Sequence, residues 1–368
     1  MNRDLNLKSS SQYDVLLVGG HHTSAIPLIK LFKKDGYSIK FIGHKYASKS
    51  NRYLSNEYKE IKSLEVEYTN LYAAKFYNVT GLKKYIELII SIFFCLGFLL
   101  RRRPRLIISF GGYLAVPVVI AGRVLGIYCV THEQTVVSGL ANRVIERFVN
   151  KIYLTWDTSS KHYKKRTEVV GLPLRSEVIK IGEKRKKRKL ELRTIFIQGG
   201  KQGSHLINQF LFKNIDYMTN RFTVYHQTGK HSANSDHLIA KRLAKKYKKY
   251  HPFVFLRGSK YVNIFKDADL ILTRAGAHIT YELSYLKIPA IFVPISWSSN
   301  NEQYENAQIS RDYTPSVILE EKNISLKSFE RCVNDLKNQI RTRRIFKEVI
   351  NDASERMYLS IKQLLNNL

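Results

Sequence analysis

The residues of this chain best suited to chemistry fall in four clusters. In DLILTRAGAHITYELSYL, which begins at Asp269, Arg274, Gly276 and Glu282 lie close together. A guanidinium beside a helix that opens at Gly276 and Ala277 favours a phosphate. Glu282, on the same helix, either accepts hydrogen bonds from a ribose diol or is a surface carboxylate. In the second cluster, GGKQGSHL, Gly199, Gly200 and Gly203 can expose backbone N–H groups to a diphosphate at a helix start. Lys201 either adds a charge there or faces solvent. The third cluster is Gly19 and Gly20 followed by His21 and His22. The fourth sets Gly111, Gly112 and Tyr113 beside His132 and Glu133, a pair able to transfer protons or to bind sugar hydroxyls.

Each cluster ends an apolar run, as residues at the rim of a parallel sheet should. Tyr13 to Val18 reads as a strand, followed by a glycine turn, a helix to Gly36 and another strand; LIISFGGYLAVPVVIAGRVLGIYCVTHE repeats the pattern. Leu270 to Leu272 is short enough for a buried strand, and Ile279, Leu283 and Leu286 fall at helical spacing before Pro289 and a second strand at Ala290 to Val293. Such βαβ units predict two Rossmann-like α/β domains. The expected boundaries are 1–176 for the first domain, 177–193 for a solvated basic linker containing EKRKKRKLELR, 194–345 for the second domain and 346–368 for a final helix striped by Met357, Ile361, Leu364 and Leu365.

The chain has 368 residues, enough for two full cores, and a net charge of +31. That excess points to an anionic partner or is partly solvated surface. Nucleic acid is not expected, because the basic run has no interleaved aromatics. Cys95, Cys129 and Cys332 share no metal or redox spacing and read as buried hydrophobes in a reducing compartment; a metal-free site is the expectation. The polar start, MNRDLNLKSSSQ, lacks a signal-peptide core. LKKYIELIISIFFCLGFLLRRRPR, residues 82–105, is apolar on both sides yet short for a bilayer span. It predicts a helix packed on the sheet by one face, with Ile89, Phe93, Phe94 and Leu100 dipping into a membrane interface and Arg101, Arg102, Arg103 and Arg105 meeting anionic headgroups. The alternative is an ordinary buried helix with a basic end.

RAGAHITYE, PAIFVP and EQYENA, together with SFGGYLAVP, HEQTVVSGLAN, VVGLPLR and GGKQGSHL, resemble the signature segments of the MurG family, glycosyltransferases that add N-acetylglucosamine to lipid I in peptidoglycan synthesis. The resemblance implies the GT-B arrangement, two Rossmann-like domains with an interdomain cleft, and a last helix crossing back to the first domain. It also implies UDP-N-acetylglucosamine as donor, inversion at the transferred sugar, the muramyl 4-hydroxyl of lipid I as acceptor, and peripheral attachment at the cytoplasmic face of the cell membrane. Carried over residue by residue, the donor site comprises Arg175, Gly199, Gly200, Lys201, Gln202, Gly203, Arg274, Gly276, Ala277, Thr280, Glu282, Gln303 and Asn306, with His226 and Gln227 lining the cleft. The acceptor side comprises Gly111, Gly112, Tyr113, His132 and Asn142. Two departures lie on the acceptor side: Thr135 replaces the family's Asn, and GGHH is shorter than its GGTGGH loop. Holding the helix length to Gly36 constant places His21 on the family's proposed catalytic histidine, whereas aligning Pro27 places Ser24 there. His21 is the preferred base, with His132 or Glu133 as substitutes. The rivals are an enzyme acting on another polyprenyl-diphosphate sugar, and a non-enzymatic basic binder of membrane or nucleic acid.

Overall fold

The computed structural model describes residues 13–46, 53–71, 82–185, 191–229, 235–256, 258–342 and 345–368. It divides into two compact units, Met1–Arg175 with Asp352–Leu368, and Ser176–Asn351.

The first unit is built on a seven-stranded parallel sheet. Its strands are β1 (Val15–Val18), β2 (Ile39–Gly43), β3 (Glu67–Asn70), β4 (Leu106–Ser109), β5 (Tyr128–Glu133), β6 (Lys151–Leu154) and β7 (Thr167–Val169). They lie in the order β3-β2-β1-β4-β5-β6-β7. β1 is apolar throughout, and β4 up to Ser109, because helices cover both faces of the sheet. One face carries α1 (His22–Lys34), the other α3 (Leu82–Arg101) and α4 (Ala115–Val124); α2 (Asn56–Ser63) and α5 (Leu140–Ile145) complete the unit. Strand order reverses between β1 and β4, the place where open α/β sheets bind ligands beyond their carboxyl ends.

The second unit repeats the plan with six parallel strands in the order β10-β9-β8-β11-β12-β13. Their ranges are β8 (Thr194–Gln198), β9 (Thr223–Gln227), β10 (Tyr250–Phe253), β11 (Leu270–Thr273), β12 (Ala290–Phe292) and β13 (Ser316–Ile318). The helices are α6 (Ser176–Arg185), α7 (His205–Lys213), α8 (Ile215–Arg221), α9 (Asp236–Lys246), α10 (Gly258–Asp267), α11 (Ala277–Leu286), α12 (Glu302–Ser310) and α13 (Leu326–Arg341). Here the reversal falls between β8 and β11.

The expected linker needs correction. Residues 176–185 form α6, which buries Val178 and Ile181 in the second unit and donates from Arg185 Nη1 to the carbonyls of Phe265 (2.9 Å) and Lys266 (2.7 Å). Of the run EKRKKRKLELR, Glu183 to Arg185 end α6, and residues 186–190 lie outside the described residues. The last helix, α14 (Ala353–Asn367), belongs to the first unit, where Met357, Ile361 and Leu365 enter the α1 core and the Tyr358 ring meets Phe32 edge-on at 5.0 Å. Cys95, Cys129 and Cys332 are buried free thiols. Burial pushes the first two up to about 12 and Cys332 up to about 11. No group of three or more His, Cys, Asp or Glu side chains among the described residues could hold a metal ion.

Candidate active site

In the second unit, β8 runs into the glycine loop at the strand-order reversal. Gly200 and Gly203 take φ of +86° and +90°, and a Cβ on Gly203 would lie 2.1 Å from the Thr228 carbonyl oxygen, so only glycine fits. Ser204 caps α7, its hydroxyl accepting from Ile207 N–H at 3.5 Å. Gln227 braces the loop, donating to Gly200 O at 3.0 Å and accepting from Leu256 N–H at 3.0 Å. Lys201 and Gln202 are exposed at the tip. Behind the loop, a cavity of about 200 Å³ is lined by Gln202, Gly203, Ser204, His205, Asn208, Thr228 and Asp236.

Across the reversal, Arg274 leaves β11 and its Nη2 donates to Ser204 Oγ at 2.7 Å, tying together the two loops that open α7 and α11. Its Nη1 donates to Val293 O at 3.0 Å and pairs with Glu321 Oε1 at 2.7 Å. Glu321 Oε2 accepts from Ser296 N–H (3.0 Å) and its hydroxyl (2.8 Å). These donors, with Arg274, hold Glu321 below the usual carboxylate range although partial burial opposes them. Gly276 caps α11 and Ala277 begins it. From α12, Gln303 Oε1 accepts from Ala275 N–H (3.3 Å) and Ile295 N–H (3.1 Å), and Asn306 Nδ2 donates to Ala275 O at 3.1 Å. Both therefore shape the loop. Glu282 lies on α11, mostly buried, 3.4 Å from the Tyr261 hydroxyl.

Two expected donor-side residues are structural. Thr280 is buried and returns its hydroxyl to Gly276 O at 2.8 Å, within its own helix. His226 is fully buried between Tyr250 OH (2.7 Å) and Asn208 Oδ1 (3.0 Å), and burial drives its pKa down to about 3.

In the first unit, the loops after β1 and β4 meet at the strand-order reversal. A Cβ on Gly19 would stand 2.7 Å from Gly111 O, and one on Gly112 would stand 3.2 Å from Gly20 N. His21 stands just before α1 and is exposed, while His22 enters the helix and is buried near Glu60, at 3.4 Å. Ser24, the rival position for the base, is buried. Tyr113 hydrogen-bonds through its hydroxyl to His44 Nε2 at the end of β2. Arg175 pairs through Nη2 with Glu60 Oε2 at 2.7 Å.

His132 and Glu133 do not suit the substitute role of base. His132 is wholly buried, its Nε2 bonds to Gly171 O at 2.9 Å, and burial lowers its pKa to about 4. Glu133 is buried under Thr135 N–H (3.1 Å) and hydroxyl (2.9 Å), Gly139 N–H (2.9 Å), Asn142 Nδ2 (2.9 Å) and Tyr163 OH (2.6 Å). Such a carboxylate organises a loop, its oxygens already occupied by these donors. Asn142, expected to touch the acceptor, is buried between Glu133 and Thr131, whose hydroxyl donates to Asn142 Oδ1 at 3.0 Å.

The α3 helix has two apolar faces. Cys95 and Leu99 are in the core, whereas Ile89, Ile90, Phe93, Phe94 and Leu100 are exposed, Phe93 by 69%. The basic end is partly committed. Arg102 pairs with Glu67 at 2.8 Å, Arg103 Nη2 donates to Leu125 O at 2.8 Å, and Arg105 pairs with Asp14 at 3.4 Å. No helix of the described residues is long and apolar enough to cross a membrane.

Two Rossmann-like domains, each built on a parallel sheet with a glycine loop at its strand-order reversal, are the GT-B fold. The N-terminal domain model of glycosyltransferase family 28 matches residues 18–154 and its C-terminal domain model matches 194–364; the chain belongs to this family. A relative from Clostridium botulinum (strain Langeland), named UDP-N-acetylglucosamine–N-acetylmuramyl-(pentapeptide) pyrophosphoryl-undecaprenol N-acetylglucosamine transferase, is 30% identical over 86% of this chain and 88% of its own. A relative of the same name from Clostridium tetani is 28% identical over 88% of this chain and 89% of its own. The crystal structure of Acinetobacter baumannii MurG superposes with a TM-score of 0.71 at 18% identity, covering 96% of this chain and 99% of that one. A UDP-GlcNAc 2-epimerase from Neisseria meningitidis, bound to UDP-GlcNAc, shares the fold at a TM-score of 0.61 and 14% identity, covering 95% of this chain and 99% of that one.

Proposed function

We propose that the chain transfers N-acetylglucosamine from UDP-N-acetylglucosamine to the muramyl 4-hydroxyl of lipid I, with inversion, to make lipid II. The observation that carries the donor half is the meeting of the glycine loop and Arg274 through Ser204 at the switch point of the second unit. Gly199 to Gly203, Arg274 and the N-terminus of α11 receive the diphosphate, and Glu282 takes the ribose. In the reaction the acceptor oxygen bonds to the anomeric carbon as the bond to UDP breaks. The hydroxyl proton passes to a base, and the charge on UDP is met by these donors. His21 is the base, being the exposed imidazole beside the Gly19–Gly20 loop, with Gly111, Gly112 and Tyr113 on the acceptor side.

The exposed face of α3 rests in the interface of an anionic membrane, so that the enzyme meets a lipid-linked acceptor as a peripheral protein at the cytoplasmic face. The family assignment and the exposed apolar row support this reading. Incubation with UDP-N-acetylglucosamine and lipid I, followed by mass spectrometry of the lipid, tests the proposal. Lipid gaining one N-acetylglucosamine supports it. Lipid I left unmodified while another polyprenyl-diphosphate sugar is glycosylated reassigns the acceptor, and formation of an epimerised UDP-sugar without any acceptor refutes transfer.

A further inference from the structure

Glu321 lies in the turn after β13, away from the glycine loop and the β11–α11 turn, yet it holds the arginine that joins them. We infer that Glu321 is a positioning residue for the donor diphosphate: its carboxylate fixes the Arg274 guanidinium so that the remaining N–H groups present themselves to a phosphate oxygen. This deepens the donor-site reading and rests on it.

The geometry is specific. Arg274 Nη1 is taken by Glu321 Oε1 at 2.7 Å and Val293 O at 3.0 Å, and Nη2 gives one proton to Ser204 Oγ at 2.7 Å. These contacts leave Nε–H and the other Nη2 proton uncommitted. Two N–H groups of one planar guanidinium are the arrangement that grips an oxyanion most strongly. Glu321 is itself anchored by Ser296, whose N–H and hydroxyl both reach Oε2, so one carboxyl spans the β12–α12 loop and the arginine. The pair is shielded, with side-chain exposures of 12% for Arg274 and 19% for Glu321, and a lost contact there is not replaced freely by water. Without Glu321, Arg274 keeps its charge but not its orientation, and Ser204, the cap of α7, loses a fixed donor.

The opposite effect is a real competitor. A carboxylate near a diphosphate repels it, and removing that carboxylate would tighten binding if repulsion dominated. The result therefore has a sign as well as a size. Glu321→Ala and Glu321→Gln should be titrated calorimetrically with UDP and with uridine, which lacks the phosphates. We expect Glu321→Ala to weaken UDP by about tenfold, the scale of one charge-assisted hydrogen bond, and to leave uridine unchanged. Glu321→Gln, which keeps an acceptor for Arg274, should fall between it and the unsubstituted protein. Unchanged or tighter UDP binding in both variants overturns the inference, as does an equal loss for UDP and uridine, which would mark general damage to the domain. If the unsubstituted protein binds uridine and UDP equally, the donor-site reading itself fails, and that outcome is seen before any variant is compared.

Discussion

At the scale of single residues, the exposed His21 and the buried His22 make a clear experiment. His21→Ala should lower turnover by about 10²- to 10⁴-fold with donor affinity little changed, the usual cost of losing a positioned base. If Ser24→Ala is the damaging change instead, the base lies elsewhere. Glu282→Ala should weaken UDP-sugar binding by about tenfold, as expected for a lost hydrogen bond to a charged group, while uncomplexed UDP-sugar titrating with unchanged affinity would remove Glu282 from the site. The buried histidines give a pH prediction. His132 and His226 have folded-state pKa values lowered by burial to about 4 and about 3, from 6.5. The unfolded chain binds protons that the folded one refuses, so stability is full above about pH 6.5 and falls towards pH 4, by up to about 1.4 kcal/mol per pH unit for each histidine. Urea unfolding of His226→Asn across that range should show a shallower slope. An unaltered slope would mean that His226 is not neutral in the folded protein. The glycine loops and Arg274 were legible in the sequence because each directly follows a short apolar strand. Glu321, Glu60 and His44 were not, since each meets its partner from a distant segment. His132 and Glu133 were legible as a pair but not as a buried one, because a dipeptide at a strand end carries no sign of what will cover it.

At the scale of elements, α3 shows what hydropathy reveals and what it hides. An apolar run beside four arginines led to the expectation of a helix packed by one face, and one face does lie against α4 and the sheet while the other is exposed. The sequence did not show that Glu67 claims Arg102 and Asp14 claims Arg105. Arg101→Ala should therefore weaken co-sedimentation with anionic vesicles more than Arg102→Ala, whose charge is already paired in the protein. Phe93→Glu should weaken it further without unfolding the protein, because that ring is 69% exposed. Binding of Phe93→Glu equal to that of the unsubstituted protein would assign the exposed row some other role. The α6 helix was missed for the opposite reason: its apolar positions are few and flanked by charge, and only packing against α10 and α11 decides its state.

At the scale of the whole molecule, alternating strand, glycine turn and helix was enough to indicate two doubly wound sheets. A parallel sheet with helices on both faces and right-handed crossovers leaves few other ways to bury those strands. Strand order could not be read from the pattern, yet it decides function, since it sets the reversals beside β1 and β8 where the glycine loops converge. UDP release from UDP-N-acetylglucosamine, followed continuously with and without lipid I, is the sharpest test of lipid-linked transfer from a UDP-sugar. Release should depend on lipid I and saturate with it. Release at the same rate without any acceptor, or none with lipid I present, would contradict it.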